Sequence, residues 1–267
     1  MHQPRKRFGQ NFLHDPGIVR RVLDAIRPRP GERLVEIGPG QGAITRGLLE
    51  AAGALDAVEL DRDLIEPLRA RLQGVGELRV HQGDALDFDL CALAAAPASL
   101  RLIGNLPYNI STPLLFRFLE QADCILDMHL MLQREVVERI VADPGDKTYG
   151  RLSVMIQTYC EAELLFRIGP GAFVPAPKVE SAFLRLRPRR PLPYRLAAPA
   201  LHARLVAAAF SQRRKTLRNA LHGLAEAQDF AGAGIDPGLR AESVAVAGFV
   251  RLTEQVSARG CKDESAP

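Results

Sequence analysis

Short apolar runs alternate with amphipathic stretches along the first half of the chain. The segment "DPGIVRRVLDAI" predicts a helix, with Asp15 as its N-cap and Pro16 at its first helical position. Apolar runs predict strands at residues 34–37, 55–60, 78–81, 101–104 and 125–132. Helical periodicity predicts helices at residues 43–52, 62–72, 112–120 and 134–141. This alternation predicts crossover connections, and hence a mostly parallel sheet with helices on both faces.

The rhythm changes after Gly150. A helix is predicted at residues 152–159, followed by two apolar strands at 162–168 and 181–186 that can pair antiparallel at the far edge of the sheet. Prolines then interrupt every periodicity, which predicts a linker at residues 189–199. Helical spacing returns beyond it. The predicted fold class is therefore α/β, with a sheet domain at residues 1–188, an antiparallel edge hairpin, and a small all-α domain at residues 200–260.

Composition indicates the compartment of the protein and the kind of site that its cysteines can form. The 267 residues are 47% apolar, and the longest uncharged apolar run is too short for a membrane span. The N-terminus has no signal-peptide pattern, so a cytoplasmic protein without a membrane partner is expected. Four scattered cysteines, at positions 91, 124, 160 and 261, favour neither a zinc site nor a disulfide framework. We expect most of them to be small core residues or incidental.

Charge is concentrated in one segment. No acidic residue lies between Glu180 and Glu226, whereas ten arginines and lysines do, among them Arg213, Arg214, Lys215 and Arg218. A solvated face normally mixes charges of both signs, so the run favours contact with a polyanion, RNA or DNA.

A glycine loop, "VEIGPGQGAIT", follows the first strand of the alternating region and opens a helix. Glycines at positions 38, 40 and 42 let the backbone pass close to a ligand. Glu59 closes the next strand and can accept both hydroxyls of a ribose. The loop also fits a dinucleotide fingerprint, but Pro39 removes an N–H that would hold a pyrophosphate.

Asp84 ends the third strand, where it can accept a hydrogen bond from an adenine amino group. S-adenosylmethionine fits this layout because it has a ribose and an adenine but no phosphates. For Glu59 and Asp84 the alternative is a tight turn with a solvated cap. A second Ile-Gly-Pro-Gly, at residues 168–171, has no helix after it and is interpreted as a turn.

The tetrapeptide Asn105-Leu106-Pro107-Tyr108 follows the fourth strand. The Asn105 side-chain carbonyl and the Leu106 main-chain carbonyl can accept the two N–H bonds of an adenine N6 amino group. Pro107 biases Leu106 towards extended backbone, and Tyr108 offers a flat face for an unstacked base. Neutral acceptors are sufficient, because the amino proton becomes acidic only after the methyl group has arrived. The alternative is a polar turn between a strand and a loop.

Several strings together resemble the ribosomal RNA adenine dimethyltransferases: "RFGQNFLHD", "VEIGPGQGAIT", "GNLPYNISTPLLF", "FVPAPKVESAFLRL" and "FSQRRKTLRNAL". The similarity runs from about Arg7 to the last helix, and it is strongest to members that act on 16S rRNA. It implies a Rossmann-like methyltransferase domain that uses S-adenosylmethionine and no metal. It also implies a monomer that dimethylates two adjacent adenosines near the 3′ end of 16S rRNA in the 30S subunit, a step of ribosome biogenesis.

The resemblance also implies roles for individual residues. The residues implied to contact S-adenosylmethionine are Asn11, Leu13, Gly38, Glu59, Asp84 and Asn105. Residues 105–108 are implied to hold the target base, with Phe173 on its other side. The basic residues Arg213, Arg214, Lys215 and Arg218 are implied to bind rRNA phosphates in the C-terminal domain.

Three alternatives remain at this point. A related resistance-type methyltransferase acts on an adenosine of 23S rRNA and shares the core strings. An NAD-dependent oxidoreductase would use the glycine loop and Glu59, but it leaves residues 105–108 and the basic run without roles. A protein that only binds RNA on a methyltransferase fold is the third.

Overall fold

The computed structural model describes residues 10–263, with side chains up to residue 259. The chain forms two compact units. The first comprises the chain up to Val137 together with Glu163–Pro188, and the second comprises Glu138–Ala162 together with the chain from Arg189 onward. The predicted sheet domain also ends at residue 188, but it includes residues 138–162, which belong to the second unit. The predicted linker at 189–199 lies within the second unit.

Nine strands are present in the described chain. They are β1 (Phe12–Leu13), β2 (Arg33–Ile37), β3 (Ala54–Glu59), β4 (Glu77–Gln82), β5 (Leu100–Asn105), β6 (Ile125–Gln133), β7 (Cys160–Ile168), β8 (Phe173–Val174) and β9 (Ser181–Pro188). Seven of them form one sheet in the order β4-β3-β2-β5-β6-β9-β7. The pairs from β4 to β6 are parallel, and β9 runs antiparallel to β6. The predicted mostly parallel sheet, with an antiparallel addition at one edge, is confirmed.

Ten α-helices connect and follow the strands in the described chain. They are α1 (Pro16–Ile26), α2 (Thr45–Ala52), α3 (Arg62–Leu72), α4 (Ser111–Glu120), α5 (Arg134–Ile140), α6 (Arg151–Tyr159), α7 (Pro199–Ala209), α8 (Leu217–Ala220), α9 (Ala227–Ala233) and α10 (Val246–Asp263). Helix α1 begins as predicted, because the Asp15 carboxylate accepts hydrogen bonds from the N–H groups of Gly17 at 2.7 Å and Ile18 at 3.1 Å.

The core of the first unit forms around the middle of the sheet. Strands β2, β5 and β6 are buried along almost their whole length, as expected for strands covered on both faces. Helix α1 contributes Val22 and Ile26 to a cluster that also contains Ile103 and Phe183. Each fully buried side chain of this size stabilises the fold by about 1.5–3 kcal/mol, so the apolar runs fix the strand positions.

A two-stranded sheet lies outside the main sheet. Strand β1 pairs antiparallel with β8, with Phe12 opposite Val174 and Leu13 opposite Phe173. The N–H of His14 extends the pairing by donating to the Ala172 carbonyl at 2.9 Å. Sequence analysis predicted neither strand, because two residues carry no periodicity. The second Ile-Gly-Pro-Gly, at residues 168–171, ends within a single 3-10 turn at Pro170–Ala172, so its interpretation as a turn is confirmed.

Cysteine pairing is the clearest correction to the sequence analysis. Cys91 and Cys124 form a disulfide across 33 positions, with their Cα atoms 5.4 Å apart. Both lie in 3-10 turns, Leu90–Leu93 and Ala122–Cys124, that meet at Gln121. Scattered spacing gives no sign of such a contact, and the expectation that the cysteines favour no disulfide is wrong for this pair. Cys160 is a buried core residue as expected.

The second unit is organised around a buried histidine. His202 of α7 is fully buried, with Nδ1 3.0 Å from the Thr253 hydroxyl of α10 and Nε2 3.1 Å from the Thr158 hydroxyl of α6. Burial lowers the pKa of His202 to about 4, so the ring is neutral at physiological pH. Three helices are therefore joined through one imidazole. No helix among the described residues is both long and apolar enough to cross a membrane.

Candidate active site

A cavity of about 360 Å³ opens at the carboxyl ends of the parallel strands in the first unit. Ligands of open α/β sheets bind at this edge. Ten residues predicted to hold a cofactor or a target amino group line this cavity: Asn11, Leu13, Gly38, Gly40, Glu59, Asp84, Asn105, Leu106, Pro107 and Tyr108. The fold therefore brings together positions that are up to 97 residues apart in sequence.

The glycine loop forms one wall. Gly40 has a φ of +56°, and a Cβ built there would lie 3.0 Å from the Phe12 ring, so both backbone and space require glycine. Gly42 has a different role from the one predicted. A Cβ at Gly42 would lie 2.6 Å from Leu68 Cδ1, so this glycine allows α3 to pack closely, and it does not line the cavity.

Glu59 ends β3 and is only 5% exposed. Its Oε2 accepts a hydrogen bond from Gly40 N–H at 3.1 Å, and its Oε1 accepts one from Asp61 N–H at 2.8 Å. Burial raises the pKa of Glu59, and these two backbone donors oppose the rise. The carboxylate is thus fixed in orientation, and each oxygen keeps acceptor capacity for a vicinal diol.

Asp84 lies in the loop after β4. Its Oδ1 accepts a hydrogen bond from Leu86 N–H at 2.9 Å, which fixes the carboxylate at the cavity wall. A carboxylate in this position accepts from an amino group and cannot donate to a ring nitrogen when ionised. This matches the predicted contact with an adenine amino group.

Asn105 is the last residue of β5 and is held by the N-terminal segment. Its Nδ2 donates to the main-chain carbonyl of Asn11 at 2.9 Å. With the nitrogen engaged there, the side-chain carbonyl remains as the acceptor. The next residue is fixed as well, because Leu106 N–H donates to the Met131 carbonyl at 3.1 Å.

Tyr108 is anchored through its hydroxyl. The Tyr108 oxygen lies 2.6 Å from the Oγ of Ser181, a fully buried residue at the start of β9. Burial raises the pKa of Tyr108, and the Ser181 contact partly opposes this, so the phenol is neutral at physiological pH. Sequence analysis missed Ser181, since the contact joins residues 73 positions apart.

Glu36 is a second residue that sequence analysis missed. It lies in β2 directly before the glycine loop, is 3% exposed, and lines the cavity. Burial raises the pKa of Glu36 to about 7; a contact with Thr45 opposes the rise and the charge of Glu59 adds to it. Its Oε2 accepts no hydrogen bond from the described residues. The one signal in the sequence that could have identified Glu36 as a site residue is the presence of a carboxylate inside the apolar string "LVEIG".

Two sets of predicted residues do not line the cavity. Phe173 is 2% exposed and belongs to the core cluster, whereas its neighbour Val174 is 55% exposed. Successive residues of a strand point to opposite sides, so β8 turns Phe173 into the core and Val174 to the surface, and the predicted role of Phe173 beside the base stays a prediction. The predicted RNA-binding residues Arg213, Arg214, Lys215 and Arg218 are exposed in the second unit, between α7 and the end of α8.

No group of three His, Cys, Asp or Glu side chains among the described residues has a metal-binding arrangement. The cavity wall itself presents amide, carbonyl, carboxylate and phenol groups.

Fold and site together define a Rossmann-like methyltransferase. The family model described as "Ribosomal RNA adenine dimethylase" matches residues 1–257. The chain belongs to the ribosomal RNA adenine dimethylase family, and the predicted resemblance is confirmed.

Curated relatives agree with this assignment. The chain is 54% identical over 256 residues to "Ribosomal RNA small subunit methyltransferase A" of Pseudomonas fluorescens strain Pf-5, covering 96% of this chain and 95% of the relative. The protein of the same name from Methylococcus capsulatus is also 54% identical over 256 residues, covering 96% of this chain and 99% of the relative.

Solved structures show the same fold. The dimethyladenosine transferase of Plasmodium falciparum aligns with a TM-score of 0.79 at 24% identity, covering 93% of this chain and 98% of that one. The 23S rRNA methyltransferase ErmE aligns with a TM-score of 0.74 at 27% identity, covering 92% of this chain and 100% of that one. The fold is therefore common to a protein named as a dimethyladenosine transferase and one named as a 23S rRNA methyltransferase.

Proposed function

We propose that this protein transfers methyl groups from S-adenosylmethionine to N6 of two adjacent adenosines near the 3′ end of 16S rRNA. The product is N6,N6-dimethyladenosine in the small ribosomal subunit, and the modification belongs to the biogenesis of that subunit. The observation that carries the proposal is the Asn105 carbonyl, left free by the bond to Asn11, in a cavity that also contains Glu59 and Asp84. The relatives named small subunit methyltransferase support the choice of rRNA.

The residues of the cavity fit S-adenosylmethionine. An unpartnered carboxylate oxygen, Oε2 of Glu36, is matched by the positive charges of this cofactor, whereas a dinucleotide would bring negatively charged phosphates. Glu59 would hold the ribose hydroxyls and Asp84 the adenine amino group. Asn11, Leu13, Gly38 and Gly40 would contact the cofactor from the remaining walls. When bound, the cofactor supplies an electrophilic methyl group on a positively charged sulfur.

The acceptor base is positioned by residues 105–108. Asn105 Oδ1 and the Leu106 carbonyl accept the two N–H bonds of the adenine N6 group, which directs its lone pair out of the ring system. Positive charge develops on this nitrogen as the new bond forms, and two fixed carbonyl dipoles stabilise it. The proton is lost afterwards, so the site needs no strong base. Tyr108, fixed by Ser181, stacks on the base and holds it out of the RNA.

The proposed partner is 16S rRNA within the 30S subunit, bound by a monomer in the cytoplasm. Arg213, Arg214, Lys215 and Arg218 would bind rRNA phosphates, and their exposure supports this role. Contacts of this kind recognise the shape of folded RNA and make binding dependent on salt.

The direct test is methyl transfer from radiolabelled S-adenosylmethionine to 30S subunits that lack the modification. We expect Asn105→Ala to abolish transfer while subunit binding, measured by sedimentation, stays within about twofold of the parent. Gln73→Ala, which removes an exposed amide outside the cavity, is the matched control and should retain full transfer. Full activity of Asn105→Ala would refute the assignment.

Substrate choice is tested separately. Primer extension on rRNA from a strain deleted for this gene should lose the block at two adjacent 3′-terminal adenosines of 16S rRNA. A change confined to 23S rRNA would instead favour the resistance-type activity. Calorimetry with NAD distinguishes the oxidoreductase alternative, for which we expect no binding.

A further inference from the structure

A second cavity, of about 500 Å³, lies in the first unit where the parallel strands begin, at the edge opposite the active site. We call it the basal pocket, defined by Arg27, Arg29, Arg101, His129, Arg185 and Arg187. Four carboxylates also line it, those of Asp24, Glu32, Asp127 and Glu163. The proposed methyl transfer uses none of these residues.

The guanidinium of Arg101 is hydrogen-bonded to residues that line the pocket. Its guanidinium donates to both oxygens of Asp127 at 3.0 Å and to Glu32 Oε2 at 2.7 Å. It also donates to the carbonyl of Ile26 at 2.8 Å, at the C-terminus of α1. Arg185 is paired with Glu163 across the sheet. These two arginines therefore satisfy three of the four carboxylates and form a rigid inner wall.

The rim of the pocket keeps an excess of positive charge. Arg27, Arg29 and Arg187 are exposed, and no described residue accepts a hydrogen bond from their guanidinium groups. Asp24 is the one lining carboxylate that neither Arg101 nor Arg185 pairs with. Three cations therefore face one anion at the rim. Arginine forks of this kind match the oxygens of a phosphate group.

His129 gives the pocket an unpartnered donor. It lies on β6 opposite Arg185 of β9 and is 1% exposed. Neither ring nitrogen has a hydrogen-bond partner among the described residues, and the closest carboxylate oxygen, on Asp127, is 3.7 Å from Nδ1. Burial lowers the pKa of His129 to about 4, so at neutral pH the ring is uncharged and has one N–H to donate. Buried polar groups are nearly always hydrogen-bonded in proteins, so this ring is able to take a partner that enters the pocket.

We propose that the basal pocket binds a backbone phosphate of rRNA, remote from the adenosine that is methylated. Arg27 and Arg187 supply the charge, and His129 donates its N–H to a phosphate oxygen directly or through one water. The identity of the anion rests on the proposed function, since RNA is the polyanion that this family modifies. The pocket itself does not depend on that function.

Ring-nitrogen NMR of the full chain labelled with ¹⁵N-histidine tests the binding. The signal absent from His129→Gln identifies His129 among the six histidines. Inorganic phosphate and a short single-stranded RNA are titrated in parallel. We expect both to shift the His129 signal saturably, and Arg187→Ala to weaken the effect about tenfold. Arg20→Ala, an exposed arginine of α1 outside the pocket, is the matched control and should leave the titration unchanged.

The dependence of 30S binding on salt tests the source of the anion. Arg27→Ala and Arg187→Ala should each lower the log–log salt slope by about 0.7–0.9, and Arg20→Ala should not. Methyl transfer at saturating subunit concentration should be unchanged in all three, so a failure here leaves the proposed activity intact. A response to free phosphate but not to RNA would overturn the rRNA assignment. No response of His129 to either would overturn the site and leave a pocket that holds only water.

Discussion

The buried carboxyl of Glu36 makes a quantitative prediction about pH and stability. Its pKa rises from 4.5 to about 7 on folding, chiefly because burial disfavours the charged form. Above pH 7 the folded protein must ionise this group in a site that resists charge, whereas the unfolded chain ionises it freely. The difference between the two pKa values corresponds to about 3 kcal/mol of lost stability at high pH.

The perturbation is Glu36→Gln, which keeps the shape of the side chain and removes the titration. Well below pH 4.5 the carboxyl is protonated in both the folded and the unfolded protein, so it does not lower the free energy of unfolding. Its cost grows to about 1 kcal/mol near pH 5.5 and about 3 kcal/mol near pH 8. We therefore expect the stability of the variant, relative to the parent, to rise by about 2 kcal/mol between these two pH values.

Urea unfolding followed by circular dichroism, without cofactor, measures this difference. Any cost of burying the amide that the substitution introduces is independent of pH and cancels in the comparison between the two pH values. Glu50→Gln, whose side chain is 56% exposed in the parent, is the matched control. Parallel pH profiles for Glu36→Gln and the parent would refute the reasoning. Calorimetry adds a second reading, since the affinity of the parent for S-adenosylmethionine should increase through pH 7 and that of the variant should not.

Three further predictions follow from individual contacts. Ser181→Ala releases the Tyr108 hydroxyl, so kcat for methyl transfer should fall about tenfold while the KM for S-adenosylmethionine stays constant; an equal change in both would contradict the positioning role. Gly42→Ala places a Cβ against Leu68 and should lower the free energy of unfolding, measured by thermal unfolding, by about 1–3 kcal/mol. An unchanged free energy of unfolding would show that α3 moves away without cost. Arg213→Ala should lower the salt slope of 30S binding by about 0.7–0.9, which an unchanged slope would disprove.

The sheet was predictable because its strands are nearly continuous apolar runs. Burial on both faces imposes that pattern on β2, β5 and β6, and helical spacing between the runs fixes the crossovers. The predicted strand ends then place four features at one edge of the sheet: the glycine loop (residues 38–42), Glu59, Asp84 and Asn105. Topology alone was sufficient to assemble most of the cavity.

Contacts between distant segments were not predictable. The ribbon of β1 and β8 and the disulfide between Cys91 and Cys124 join short segments without periodicity. The bond from Tyr108 to Ser181 joins a loop to the start of a predicted strand, and nothing in the sequence pairs these two residues. Glu36 was missed for a different reason, because one charged residue does not disturb an apolar strand pattern. The orientation of Phe173 depends on the register of β8, and a two-residue strand gives no register from sequence.

The pairing of β1 with β8 has a consequence for the order of events during synthesis. The described partner of β1, Phe173–Val174, is synthesised about 160 residues after β1 itself. Asn11 lies next to β1 and supplies the carbonyl that orients Asn105, so the pairing of β1 with β8 helps to fix the acceptor amide. A nascent chain can complete β2 to β6 and still lack a competent site. We therefore expect a fragment that ends before residue 174 to transfer methyl groups poorly, even when β2 to β6 have formed.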